Sequence, residues 1–236
     1  EYVLKKIFKS QLEQMKYYLG VTDNDWFKFL SNINPEDINF WQPGGSVNFR
    51  AISQGAPFLF KLKAPINKVG GIGFFSSHTF LPMSISWDAF RNRNGCETYD
   101  EFRRMIFNYR TDKSNQNPTI GCIVLTDPIF FREEDWIDTP SDWGKSIVQG
   151  KSYDSLTGEG KPLWEKVENL FSKYRYRENF ENNQTIAFEE TAKYGEGLSY
   201  KYRIGQGAFR VLVTDAYQRR CAITGEKTLP VLEAAH

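Results

Sequence analysis

The chain closes on a histidine. In the segment Arg219-Arg220-Cys221-Ala222-Ile223-Thr224-Gly225, Cys-Ala-Ile-Thr-Gly reads as a strand and tight turn, and Leu229 to His236 reads as the returning strand. The pattern is a β-hairpin that delivers His236 at its end. An imidazole, with an unperturbed pKa of roughly 6.5, suits the deprotonation of a water near neutral pH. By residue type alone, a single terminal histidine is a tail residue. Glu233 lies two positions before Ala235 on the same strand face, where its carboxylate either contributes to a metal site or faces solvent. Arg219, Arg220 and Lys227 suit phosphate contacts, or else a solvated helix end. Cys221 is followed three residues later by Thr224 and not by a second cysteine, so a zinc knuckle has no support.

A second group of residues lies near the N-terminus. Trp41 is followed by Gln42-Pro43-Gly44-Gly45, a glycine-adapted loop in which a planar ligand can approach the backbone closely. Trp41, Phe49, Phe74 and Trp87 are the candidate rings for a pocket. Each one taken singly reads as core packing before pocket wall, because a β-barrel of this size buries several aromatic rings. Gln42, Asn48 and Asp88 are the nearby groups able to hydrogen-bond a ring edge, with turn or capping duty as their alternative. A further stretch, Ile147-Val148-Gln149-Gly150-Lys151, places Gln149 and Lys151 near Trp136 and Trp143 and either follows a phosphate backbone or is a solvated loop.

The elements that must position these groups are legible in outline. The spacing of Val3, Leu4, Ile7, Phe8, Leu12 and Met15 predicts an amphipathic helix, or one running into a strand at residues 17–21. Thr22 to Asp25 supplies oxygens to cap a helix carrying Trp26, Phe27, Phe29 and Leu30. Residues 38–75 are short apolar runs broken by glycine and proline, a β-rich pattern. Helices are expected over 86–91, capped by Ser86, and over 98–109, capped by Thr98. Ile120 to Leu125 reads as a buried strand, and a short helix is expected around Leu163 to Phe171.

Composition narrows the class. With 236 residues, 40% hydrophobic and 25% charged, the chain is an ordinary globular protein large enough for two unequal domains. We expect residues 1–174 as one domain, a linker over 175–199 containing Glu-Asn-Phe-Glu-Asn-Asn-Gln, and a second module over 200–236. No apolar stretch approaches the roughly 20 residues of a spanning helix, so no membrane partner is expected. Three cysteines without a C-x-x-C pair suggest a reducing, cytoplasmic setting. The net charge of +1 leaves any nucleic-acid contact to local patches. The aromatic content of 16%, with 19 Phe, 12 Tyr and 6 Trp, exceeds what the core requires, so some rings are expected at a surface or pocket.

Tyr217-Gln218-Arg219-Arg220-Cys221-Ala222-Ile223-Thr224-Gly225 together with Leu232-Glu233-Ala234-Ala235-His236 resembles the opening of HNH endonucleases, the ββα-metal nucleases, and in particular those of modification-dependent restriction enzymes. The order Asn39-Phe40-Trp41-Gln42-Pro43-Gly44-Gly45, Phe58-Leu59-Phe60-Lys61-Leu62, Gly70 to Phe75 and Trp87-Asp88-Ala89-Phe90 resembles their N-terminal domains, which look like PUA, EVE and SRA-type barrels. The resemblance implies an α+β fold, a PUA-like β-barrel with flanking helices followed by a partial HNH module. It implies a type IV-like restriction endonuclease that flips and reads a modified cytosine in duplex DNA, acts as a homodimer, and hydrolyses phosphodiesters with Mg²⁺ or Mn²⁺ and His236 as general base. Ala235 stands where many of these enzymes carry an Asp or His ligand, and the chain stops before the helix that supplies the remaining ligands. The expectation is therefore that this chain binds DNA, holds no metal and does not cut. The alternative is a modified-nucleic-acid binding module with a degenerate nuclease end.

Overall fold

A computed structural model describes the backbone of residues 14–183 and the side chains of residues 14–174. The amphipathic pattern over residues 3–15 falls almost wholly outside the described residues. So does the module expected over 200–236.

Alternation builds the centre of the sheet. In β3 (Pro57–Leu62) all six residues are buried. Phe58, Phe60 and Leu62 join one apolar cluster and Leu59 joins another, so the strand has cover on both faces. β1 (Lys16–Thr22) divides the same way, Tyr17 and Leu19 to one face and Tyr18 to the other. The remaining strands are β2 (Asp37–Gln42), β4 (Lys68–Pro82), β5 (Thr119–Phe130), β6 (Ile137–Asp138) and β7 (Gly150–Asp154). One seven-stranded sheet runs in the order β2-β5-β4-β3-β1-β7, with β6 paired to β4. Only β1 and β3 run parallel; the other pairs are antiparallel. β2 and β7 end the order, so among the described residues the sheet is open and not a barrel closed by hydrogen bonds. Register shifts along β4, between Ile72 and Phe74 and between Phe75 and Ser77, bend this long strand where it meets β5.

Four α-helices pack on the sheet: α1 (Asn24–Ile33), α2 (Met83–Phe90), α3 (Tyr99–Asn108) and α4 (Gly160–Asn183). α1 is capped by Asp23 as the sequence predicts, and buries Trp26, Phe27 and Leu30. α3 begins with a capping box, Thr98 with Glu101. α2 differs from expectation. It starts three residues before Ser86, directly after Pro82, and has no side-chain cap. Ser86 is fully buried and its hydroxyl accepts a hydrogen bond from Asn39 at 3.0 Å, in a polar cluster with Asn94 and Cys122. α4 is longer than the expected 163–171 and continues through residues 175–183. Leu163 and Val167 bury its first turns against Tyr17, Leu59 and Ile72. No helix among the described residues is long and apolar enough to cross a membrane.

Candidate functional site

The site is assembled where α1 begins. Asp23 caps the helix through Oδ1, which accepts from the Asp25 and Trp26 amides at 3.1 and 3.3 Å. Its Oδ2 accepts from Lys63 Nζ at 3.1 Å and from the Tyr109 hydroxyl at 3.1 Å, while Lys63 Nζ also donates to the Tyr109 oxygen at 2.6 Å. The Lys63 ammonium lies 4.7 Å from the Tyr109 ring centre. Three residues from α1, the end of β3 and the end of α3 thus close a hydrogen-bonded triangle. Burial alone would raise the Asp23 pKa, but the hydrogen bond and charge of Lys63, with the Trp26 amide and the Tyr109 hydroxyl, hold its carboxyl below the usual range. Burial likewise opposes the Lys63 charge, and Tyr109 and Asp23 overcome it to raise that pKa.

The triangle stands at the edge of a cavity of about 350 Å³. Its walls are the rings of Tyr18, Trp26, Phe40, Trp41, Phe49 and Tyr109, with Ile123 among them. Polar groups come from Gln42, Ser46 and Gln149. Among the described residues, Asp23 and Lys63 are the only charged side chains in the lining, and they neutralise each other. Val47 and Val148, from the loops after β2 and before β7, stand on the rim and are 74% and 79% exposed.

Each wall is held from behind. The Trp41 indole N–H donates to the Asn94 carbonyl at 3.0 Å. Gly95 follows in the left-handed region at φ 89°, and a Cβ there would strike the Trp26 ring at 2.0 Å. Phe49 meets Tyr18 and Phe75 edge to face at 5.0 and 5.3 Å. Its amide donates to His78 Nδ1 at 3.4 Å. The loop after β2 is tied down by the Gly121 amide, which donates to the Gly44 carbonyl at 2.9 Å, and by Arg110, which donates to the Pro43 carbonyl.

Trp41, Gln42 and Phe49, expected from sequence in a pocket, come together here, joined by Gln149, which the sequence reading set on a surface following a phosphate backbone. Five other predicted residues lie elsewhere. Asn48 is exposed on the same loop and does not line the cavity. Phe74 points to the opposite face of the sheet, 5.7 Å from the Phe171 ring on α4, because its place in the β4 alternation sends it under that helix. Trp87 packs between Tyr99 and Phe102, filling the contact of α2 with α3, and Asp88 pairs with Arg91 one turn on at 3.3 Å. Lys151 pairs with Asp142 and lies 4.8 Å from the Tyr153 ring centre, outside the cavity lining. His236, Glu233, Arg219, Arg220 and Lys227 lie outside the described residues. Among the described residues no group of three or more His, Cys, Asp or Glu is placed to hold a metal ion.

Three solved chains resemble part of this fold: the crystal structure of ASCH from Zymomonas mobilis and those of two point mutants of that protein. The first has a TM-score of 0.43 at 10% identity, covering 62% of this chain and 92% of its own. The mutants have TM-scores of 0.42, also at 10% identity, covering 66% of this chain and 96% and 94% of theirs. No protein-family model and no curated protein matches the chain.

Sequence reasoning missed Tyr18, Trp26, Phe40, Asp23, Lys63 and Tyr109. Asp23 reads as a helix cap, which it is, and Tyr109 as the end of an apolar helical stripe. Nothing local signals that Lys63 joins partners 40 and 46 residues away.

Proposed function

We propose that the described part of this chain is a PUA-like nucleic-acid reader whose cavity receives one flat base, a modified cytosine drawn out of a DNA duplex. The observation that carries this reading is the cavity, walled by aromatic rings and holding a single, internally neutralised pair of charges. Its volume of about 350 Å³ lies in the range of small-ligand sites. Aromatic walls suit stacking on a planar group, and zero net charge favours an uncharged base over a phosphate. A flipped base stacks between aromatic faces while polar groups at the end of the cavity read its edge.

The nuclease half of the proposal rests on the sequence from Tyr217 to His236. In it a type IV-like HNH restriction endonuclease uses the reader to bring His236 and a divalent cation to foreign DNA. Ala235, at a position where a metal ligand is common, favours the second reading, a binding module without cleavage.

The test is a set of duplexes identical except for a central cytosine, 5-methylcytosine or 5-hydroxymethylcytosine, titrated by fluorescence anisotropy at two salt concentrations. A modified duplex binding about tenfold tighter, with the preference lost in Trp41→Ala and kept in Phe74→Leu, is the expected result. Equal and salt-sensitive affinity for all three duplexes would mean backbone contacts only and would end the reader proposal. For the nuclease half, Mg²⁺- or Mn²⁺-dependent cutting that is lost in His236→Ala supports it; no cutting by the chain extended through a complete HNH motif favours the binding module.

A further inference from the structure

Two loops at the mouth of the cavity are fixed at their bases and exposed at their tips. In the loop after β2, Pro43 and Gly44 are held by Arg110 and the Gly121 amide, and Phe49 by His78. The end of this loop is joined to β7, where the Ser152 hydroxyl donates to the Ala51 carbonyl at 3.3 Å. Ser46, Val47, Asn48 and Arg50 stand exposed among these ties. In the loop before β7, the Asp142 carboxylate accepts from the Tyr153 hydroxyl at 2.7 Å and pairs with Lys151. Trp143 packs partly buried on the core behind, with the Lys61 ammonium 5.5 Å from its ring centre. The Val21 amide donates to the Gln149 carbonyl at 2.8 Å. Lys145, Ser146, Val148 and Gln149 are exposed.

Two properties of these tips point to a ligand that extends beyond the cavity. Five large apolar side chains are exposed among the described residues, and three of them, Val47, Val148 and Tyr109, line this one cavity. Single exposed valines are ordinary, whereas a group of apolar side chains around one opening marks a contact surface. The second property is charge. Residues 43–50 and 143–149 contain Arg50 and Lys145 and no Asp or Glu, in a chain whose 30 Lys and Arg are nearly balanced by 29 Asp and Glu. Among the described residues neither cation forms an ion pair or a side-chain hydrogen bond. Lys151, by contrast, is already paired with Asp142. A neutral cavity between two free cations fits a chain of phosphates from which one base is inserted: the base enters, and the phosphates beside it stay outside.

We propose that the two loops grip the DNA strand on either side of the nucleotide held in the cavity, Arg50 and Lys145 each taking a neighbouring phosphate while Val47 and Val148 cover the sugars next to them. The inference rests on the base-binding reading above and adds the partner surface to it. Ser46, Asn48, Ser146 and Gln149 on the same tips supply neutral donors for phosphate oxygens. Each phosphate neutralised on a duplex adds about 0.9 to the slope of log affinity against log salt, which at ~0.1 M is close to a tenfold gain.

The experiment titrates the whole chain with the three duplexes above between about 50 and 200 mM salt. Arg50→Gln and Lys145→Gln should each lower the slope by about 0.9 and weaken all three duplexes by the same factor, close to tenfold at ~0.1 M. The preference for a modified duplex should be unchanged in both. Lys166→Gln removes an exposed cation from α4, which packs on the opposite face of the sheet, and should alter neither slope nor affinity. Val47→Ser combined with Val148→Ser should weaken binding several-fold at an unchanged slope. All these side chains are exposed, so each variant should unfold thermally with the wild type. An unchanged slope in the Arg50→Gln, Lys145→Gln double variant, or an equal fall in Lys166→Gln, overturns the inference. Full affinity in the valine variant overturns it as well. In each of these cases a retained preference for a modified duplex leaves the base-binding reading standing. Equal affinity for the three duplexes ends that reading and the inference with it.

Discussion

Replacing Asp23 tests the geometry of the site without any ligand. Asp23→Ala removes the cap of α1, worth about 1 kcal/mol. It also removes the bonds from Lys63 and Tyr109 to Oδ2. Because both members of the ion pair are about one-third exposed, that pair is worth less than ~1 kcal/mol. The alanine variant should therefore lose about 2 kcal/mol at pH 7. Asp23→Asn keeps a capping oxygen but sets an NH₂ group where Oδ2 accepted from Lys63 and Tyr109, so it retains the cap and loses the pair, at a cost of roughly 1 kcal/mol. The Asp23 pKa is lower in the folded than in the unfolded chain. A carboxylate of that kind stabilises above its unfolded pKa, near 3.9, and loses that contribution as pH falls through the folded value. The gap between the wild type and Asp23→Asn should thus be full at pH 6 and close as the pH falls below about 4. Urea unfolding followed by far-ultraviolet circular dichroism, with midpoints compared at constant slope, measures both quantities. Equal losses for the two variants at pH 7, or a gap unchanged at pH 3, would refute the charge-bearing triangle.

The two faces of the sheet make separable predictions. Phe49→Leu, in the cavity wall, should weaken base binding several-fold, whereas Phe74→Leu, under α4, should cost about 1 kcal/mol in unfolding experiments and leave binding unchanged. Gly121→Ala would bring a methyl group to 3.0 Å from Gln42 Oε1 and 3.2 Å from His78 Nε2, so the amide must move. Because Gln42 lines the cavity, base binding should weaken in that variant while its thermal midpoint shifts by only a few degrees. Cys96 and Cys122 are buried, and burial pushes the Cys96 thiol up to about 12, with Glu101 and Glu97 adding to the effect. In a Cys221→Ser background, native protein should give almost no reaction with a thiol reagent at pH 8, and two thiols after denaturation.

Sequence alone determined what depends on near neighbours. Asp23 and Thr98 are legible as caps because a capping oxygen and the amides it serves lie within three residues. β3 and β5 are legible because their apolar runs are continuous, as strands covered on both faces must be. The Trp41-Gln42-Pro43-Gly44 loop, read from its composition as a place where a planar group could approach, lines the cavity. Ser86 misled, because a hydroxyl that looks like a cap is equally suited to a buried polar cluster, and Pro82 had already fixed the helix start.

Tertiary structure decided which rings share a space. Phe49, in the loop after β2, lines the cavity, whereas Phe74, in β4, packs against α4. Bulges in β4 change which face each later residue occupies, and no local pattern reports a bulge. Asp23, Lys63 and Tyr109 meet because α1 begins, and β3 and α3 end, at one corner. Residue types set what the cavity can bond. The fold set which of those bonds are already made, and so which remain for a ligand.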